Sequence, residues 1–252
     1  MSGLCQVKRQ ANRTMSRVDN ELGAHMPRKA RTGTCVYCGT NGPVTSDHVP
    51  PKCLFPPGAR INLMTVAACP PCHDSFKLDD EYFRLVLSIR RDLPSSPESS
   101  FLQERATRSL RSPQAAGLLA SIRSSTSHRE ARTKAGIYLG ETPVLKVDAP
   151  RIIRTAERIV RGMFAKVFGI VLPRSHEAAA VLLDLQRNDS ALLHPDVQET
   201  LAYLGRHGHH KQFGKVLDFW CARVEDDEFS SMWAIRIHEV FDFLGYTTPR
   251  GS

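Results

Sequence analysis

The sequence predicts an α+β fold in two parts, a small cysteine-stapled module followed by a larger mixed domain, and three observations predict it. Two Cys-x-x-Cys pairs bracket a turn-rich stretch whose far end turns helical. One stretch, 151–173, carries a wide apolar stripe of helical period. Two later stretches, "VLDFWCARV" and "SSMWAIRIHEVFDFLGY", alternate in the manner of strands around the turn "EDDEFS".

In chain order, residues 1–32 are polar, basic and without period, which predicts a disordered basic arm. They have no apolar middle of the kind a secretory signal needs. Residues 33–92 form the expected module, with Gly, Pro and Asn crowding its first half. In its last part Phe76, Phe83, Leu85, Val86 and Ile89 are spaced to share one helical face. The breaker cluster "LPSSPESS" opens an expected linker with weak helices over 93–145. The expected accessory domain, 146–252, starts with the clearest helix in the chain. Its stripe is Ile152, Ile153, Ala156, Ile159, Val160, Met163, Phe164 and Val167, and Pro173 is its expected stop. Arg151, Arg154, Arg158 and Arg161 fall on another face. A second helix is expected over 176–187, and Trp220 and Trp233 are expected in the core of the strands that follow.

The 252 residues are 41% hydrophobic, enough for one large domain or two small ones. The formal charge of +8 and pI of 9.3 favour an anionic partner, nucleic acid ahead of a membrane surface. No apolar run approaches the roughly 18–20 residues of a membrane span, so no membrane partner is expected and the chain reads as cytoplasmic. In that compartment the seven cysteines point to metal rather than disulfides.

Cys69-x-x-Cys72-His73 alone fits a c-type haem attachment or half of a zinc site. Cys35-x-x-Cys38, thirty residues earlier, decides for zinc: two pairs supply the four thiolates that a tetrahedral Zn²⁺ takes. Cys5, Cys53 and Cys221 match no ligand spacing and read as ordinary thiols. His73 is then left over, and the insert between the pairs holds Asp47 and His48 side by side. One carboxylate and two imidazoles on a metal-closed loop suit phosphodiester hydrolysis, as a base for water and ligands for a catalytic divalent ion. Each has a plainer reading. Asp47 could cap a turn, and His73 could be a solvated residue in the first turn of a helix.

Cys-x-x-Cys, then Asp-His, then Cys-x-x-Cys-His resembles the HNH endonucleases, and "DHVPPKCLFP" with "KLDDEYFR" resembles a poorly characterised bacterial subgroup of them. The resemblance covers about 50 residues, Cys35 to Arg84. It implies a zinc-stapled ββα-metal (HNH) module and leaves the α+β C-terminal domain unaddressed. In its terms His48 is the general base, and Asp47 and His73 hold one divalent ion, Mg²⁺ or another such as Mn²⁺. Cys35, Cys38, Cys69 and Cys72 hold a structural Zn²⁺. The substrate implied is nucleic acid, double-stranded DNA first. The family has an Asn about five residues before the third cysteine; here that position is Met64, and the nearest Asn is Asn62.

Lys52, Lys77 and Arg84 are candidate phosphate contacts near the insert, although Asp80 and Arg84 also suit a surface helix pair. Arg151, Arg154, Arg158 and Arg161 are candidate DNA-backbone contacts beyond it, with a solvated helix face as the plainer reading. Two rival functions remain: a catalytically inactive zinc-stabilised nucleic-acid-binding protein, and a structural zinc protein indifferent to nucleic acid.

Overall fold

Strand β1 (Arg31–Thr34) runs into the first cysteine pair, and β2 (Asn41–His48) leaves it. After two 3-10 turns, β3 (Thr65–Ala68) pairs antiparallel with β2, with His48 opposite Thr65 and Thr45 opposite Ala68. The three strands form one sheet in the order β1-β2-β3. The second cysteine pair follows at once and opens helix α1 (Pro70–Ser75), then α2 (Lys77–Ser88). Helices α3 (Pro97–Leu110) and α4 (Ala116–Ser125) lead to a separate hairpin, β4 (Thr126–Arg132) with β5 (Tyr138–Leu145). Helix α5 (Ala149–Phe168), β6 (His176–Leu183), α6 (Pro195–His207), β7 (His209–Phe213), β8 (Leu217–Val224), β9 (Asp227–Ile237) and β10 (Phe241–Pro249) complete the chain. The last five strands form one sheet in the order β6-β10-β9-β8-β7.

This is an α+β fold, seen in a computed structural model that describes residues 31–60, 63–133, 135–183 and 194–251. The arm expected at 1–32 lies almost wholly outside the described residues, and so does Asn62. None of the described helices is long and apolar enough to cross a membrane.

Helix α5 is where the sequence pattern does most to build the fold. Asp148 caps it by accepting from the Arg151 amide at 3.2 Å, and Gly169, at φ 75°, ends it in a left-handed turn. Its stripe then packs two ways. A Cβ on Gly245 of β10 would stand 2.3 Å from a Val160 methyl, so only glycine lets the five-stranded sheet come this close. A Cβ on Gly162 would stand 2.6 Å from a Val49 methyl, just past the end of β2. The helix is therefore wedged between both sheets. The stretches expected as a module (33–92) and an accessory domain (146–252) share one hydrophobic core, running from Val36 and Phe83 through Ile159 to Phe243. Thr32–Ser252 is a single compact unit.

Four expected elements differ. The helix starting at 151 ends at Gly169, before Pro173 is reached. Of the helix expected over 176–187, residues 176–183 are strand β6 and the rest lie outside the described residues. Its Ala, Glu and Leu residues favour a helix, but pairing with β10 along its whole length and packing of Ala178, Ala180 and Leu182 against the core override that preference. The strand expected at "SSMWAIRIHEVFDFLGY" is two strands, because His238 and Glu239 both take positive φ (52° and 63°) and reverse the chain without a glycine. In "LPSSPESS", Ser96 caps α3 by accepting from the Ser99 amide at 3.2 Å, so half of the expected linker is a helix start. Trp233 is fully buried as expected, whereas Trp220 is half-buried and stacks on His210.

Candidate metal centre and active-site cleft

The first cysteine pair is closed by its own backbone. Gly39 donates to the Cys35 carbonyl at 2.8 Å, Cys35 to that of Thr40 at 3.0 Å, and Gly39 takes the left-handed φ of 72° that the tight turn requires. The Val36 amide bonds the Ala67 carbonyl on β3 at 2.9 Å, which sets this pair beside the strand that delivers the other. Cys69 is the cap residue of α1, Pro70 and Pro71 start the helix where no amide donor is needed, and Cys72 lies in its first turn.

The outcome is a cluster of four. One sulfur from each of Cys35, Cys38, Cys69 and Cys72 lies within 4.8 Å of all the others. Cys38 and Cys69 are 3.7 Å apart, close to the about 3.8 Å edge of a tetrahedron with Zn–S bonds of about 2.3 Å. Hydrogen bonds from Thr40 pull the Cys38 thiol down to about 6, while burial and then the adjoining thiols push Cys72 up. A divalent cation bound among four such sulfurs displaces their protons. The residues fit a structural Zn²⁺. Among the described residues, no other group of three or more potential ligands gathers in this way.

Residues from later in the chain hold the cluster from behind. Arg161 of α5 donates to the Val36 carbonyl at 3.0 Å and the Leu172 carbonyl at 2.9 Å, and Arg174 reaches the Cys38 carbonyl at 3.4 Å.

Beside the cluster is an open cleft of about 400 Å³. Asp47 and His48 line it from the end of β2, and His73 from α1. Alternation along a strand would send neighbours to opposite faces. Here the strand stops at His48, before Pro50 and Pro51, and both residues line the cleft. Lys52, Lys77 and Arg84 line it too, so the six candidates read from the insert and the following helices share one cleft.

No family model, curated protein or solved structure matches this chain.

The basic candidates differ in what they already hold. Lys77 is exposed and pairs with Asp74 at 2.6 Å, and Lys52 is exposed at the rim. Arg84 is 6% exposed; it donates to the Ser109 hydroxyl at 2.6 Å and approaches Glu81 at 3.7 Å, rather than Asp80, and its Nε has no partner. Of the arginines on α5, three spend their donors inside the chain. Arg151 bonds Asp79 and the Leu78 carbonyl and lies over the Tyr82 ring. Arg158, with its side chain 8% exposed, bonds Asp80 and lies 4.4 Å from the Phe76 ring centre. Arg161 grips the Val36 and Leu172 carbonyls. Arg154, 59% exposed and 3.8 Å from Asp79, is the most open of the four to a phosphate. The stripe that reads as a surface face is mostly the seam between α5 and α2.

Sequence reasoning missed three residues. Tyr37, between the first two cysteines, donates its hydroxyl to Asp47 Oδ2 at 2.7 Å. Asp80 lines the cleft, and burial raises its carboxyl to about 6, with Arg158 opposing the rise and Asp47 and Asp79 adding to it. Cys53 lines the cleft as a half-buried thiol, pushed up by desolvation to about 11. "KLDDEYFR" contained Asp80 in plain view; nothing in the spacing of Tyr37 distinguishes it from a packing residue.

Proposed function

We propose that this protein is a metal-dependent endonuclease of the HNH type, hydrolysing phosphodiester bonds in double-stranded DNA. One observation carries the reading: Asp47, His48 and His73 line a single open cleft beside four clustered thiols.

His48 acts as general base, taking a proton from the water that attacks phosphorus. The P–O bond to the 3′ oxygen breaks, leaving a 5′-phosphate and a free 3′-hydroxyl. Asp47 and His73 are the residues that would hold one divalent ion, Mg²⁺ or Mn²⁺. When bound, that ion stabilises negative charge on the phosphate and the leaving oxygen. Lys52 and Lys77, exposed at the rim, attract the flanking phosphates. Cys35, Cys38, Cys69 and Cys72 hold the Zn²⁺ that fixes the hairpin carrying Asp47 and His48.

Nicking of supercoiled plasmid with Mg²⁺ or Mn²⁺ tests this. Wild type should nick, and His48→Ala should bind the plasmid equally well without nicking it. Equal inertness of both proteins across divalent metals would overturn the reading.

A second reading, a catalytically inactive zinc-stabilised nucleic-acid-binding protein, is favoured by Met64. This residue stands where the family has its Asn, and it is buried in the core. Under that reading DNA binding persists, falling steeply with salt, and no metal supports cleavage.

A further inference from the structure

We infer that Tyr37 is a positioning residue for the cleft: its hydroxyl fixes the rotamer of Asp47, so the first cysteine pair sets the ligand geometry of the divalent-ion site as well as that of the zinc. The inference rests on the reading of Asp47 as a ligand given above.

The hydroxyl reaches Asp47 Oδ2 at 2.7 Å, which leaves Oδ1 as the oxygen that Tyr37 does not occupy. The ring is set by its contact with Phe76 and by the room left at Gly162. Phe76, just after α1, meets it edge-on with ring centres 4.8 Å apart. Arg158, paired with Asp80, lies over that Phe76 ring, 4.4 Å from its centre. Gly162 leaves room for the hydroxyl, since a Cβ there would stand 3.3 Å from it. Beside a carboxylate, which has no proton to give, the phenol hydroxyl can only donate.

The consequence is specific. An aspartate at a strand end is free to turn about χ2 and to present either oxygen. A fixed donor on one oxygen removes that freedom in advance and orients the other, which is how outer partners tune a metal ligand. The family's Asn orients the base; Tyr37 orients the ligand beside it.

The test uses full-length, zinc-loaded protein titrated with Mn²⁺, the free ion being followed by electron paramagnetic resonance. Wild type, Tyr37→Phe, Asp47→Asn and the double variant are compared, with zinc content measured in each. Tyr37→Phe keeps the ring against Phe76 and should weaken Mn²⁺ binding about 10-fold with zinc content unchanged. In the Asp47→Asn background, removing the hydroxyl should weaken binding no further. Wild-type affinity in Tyr37→Phe, with loss in Asp47→Asn, would overturn the positioning role alone. A loss that persists in the Asp47→Asn background would also overturn it, because the tyrosine would then act through packing. If Asp47→Asn itself binds Mn²⁺ like wild type, the ligand assignment fails first and the inference falls with it.

Discussion

Arg161 donates to the carbonyl of Val36 across 125 residues of sequence, so the loop between the first two cysteines is held by a helix that enters the chain much later. The cysteine cluster is thus buttressed by α5, and α5 in turn packs on the five-stranded sheet through Val160 and Gly245.

Stripping the zinc should therefore be felt beyond the first sheet. A small hairpin and helix bury too little to stand alone, and metal binding supplies their folding energy. A strong chelator should lower the thermal midpoint of the whole unit in one transition. Trp233 fluorescence, reporting the five-stranded sheet, should move together with zinc release; two separated transitions would show that the shared core does not couple them.

Gly162→Ala should destabilise by about 1–3 kcal/mol, because the new methyl would meet Val49 at 2.6 Å. Shortening the neighbour should relieve it: the Gly162→Ala/Val49→Ala pair should lose less than the sum of the single changes in urea denaturation.

The arginines of α5 should separate by salt dependence. Arg154→Ala should lower the slope of log affinity for duplex DNA against log salt by roughly one. Arg158→Ala should leave that slope alone and instead destabilise the fold by about 1–3 kcal/mol, since half-buried Asp80 loses its partner.

Asp80 sets a pH dependence with a definite sign. Its folded value of about 6 lies above the ordinary 3.8, so the folded protein binds the proton more tightly. That contribution to stability is present at low pH and is lost as pH rises through 6. Between pH 5 and pH 7, wild type should lose on the order of 1 kcal/mol relative to Asp80→Asn in chemical denaturation.

How much of this was legible in the sequence depends on whether the signal was local. The two cysteine pairs announce their cluster by spacing, and the stripe of α5 announces a buried helix by period. Asp47, His48 and His73 could be singled out by position in the insert, and they do share a cleft. The roles of Arg151, Arg158 and Arg161 were not legible, since an arginine facing solvent and one facing an acid on another helix read alike. β6 was misread because Ala, Glu and Leu carry a helical preference that only pairing with β10 overrules. The reversal at His238 and Glu239 has no glycine to mark it, and the Tyr37 contact joins two side chains whose meeting depends on the folded knuckle.

The wedged position of α5 also bears on the order in which the protein is made. The strands and helices of residues 31–88 leave the ribosome while α5 is still unsynthesised. Asp80 has no counter-ion until Arg158 emerges, and the carbonyls of Val36 and Cys38 have no arginine donors until Arg161 and Arg174 follow. The nascent chain can gather its thiols and the lining of its cleft early, but it gains these partners only once α5 and the residues just after it have been made.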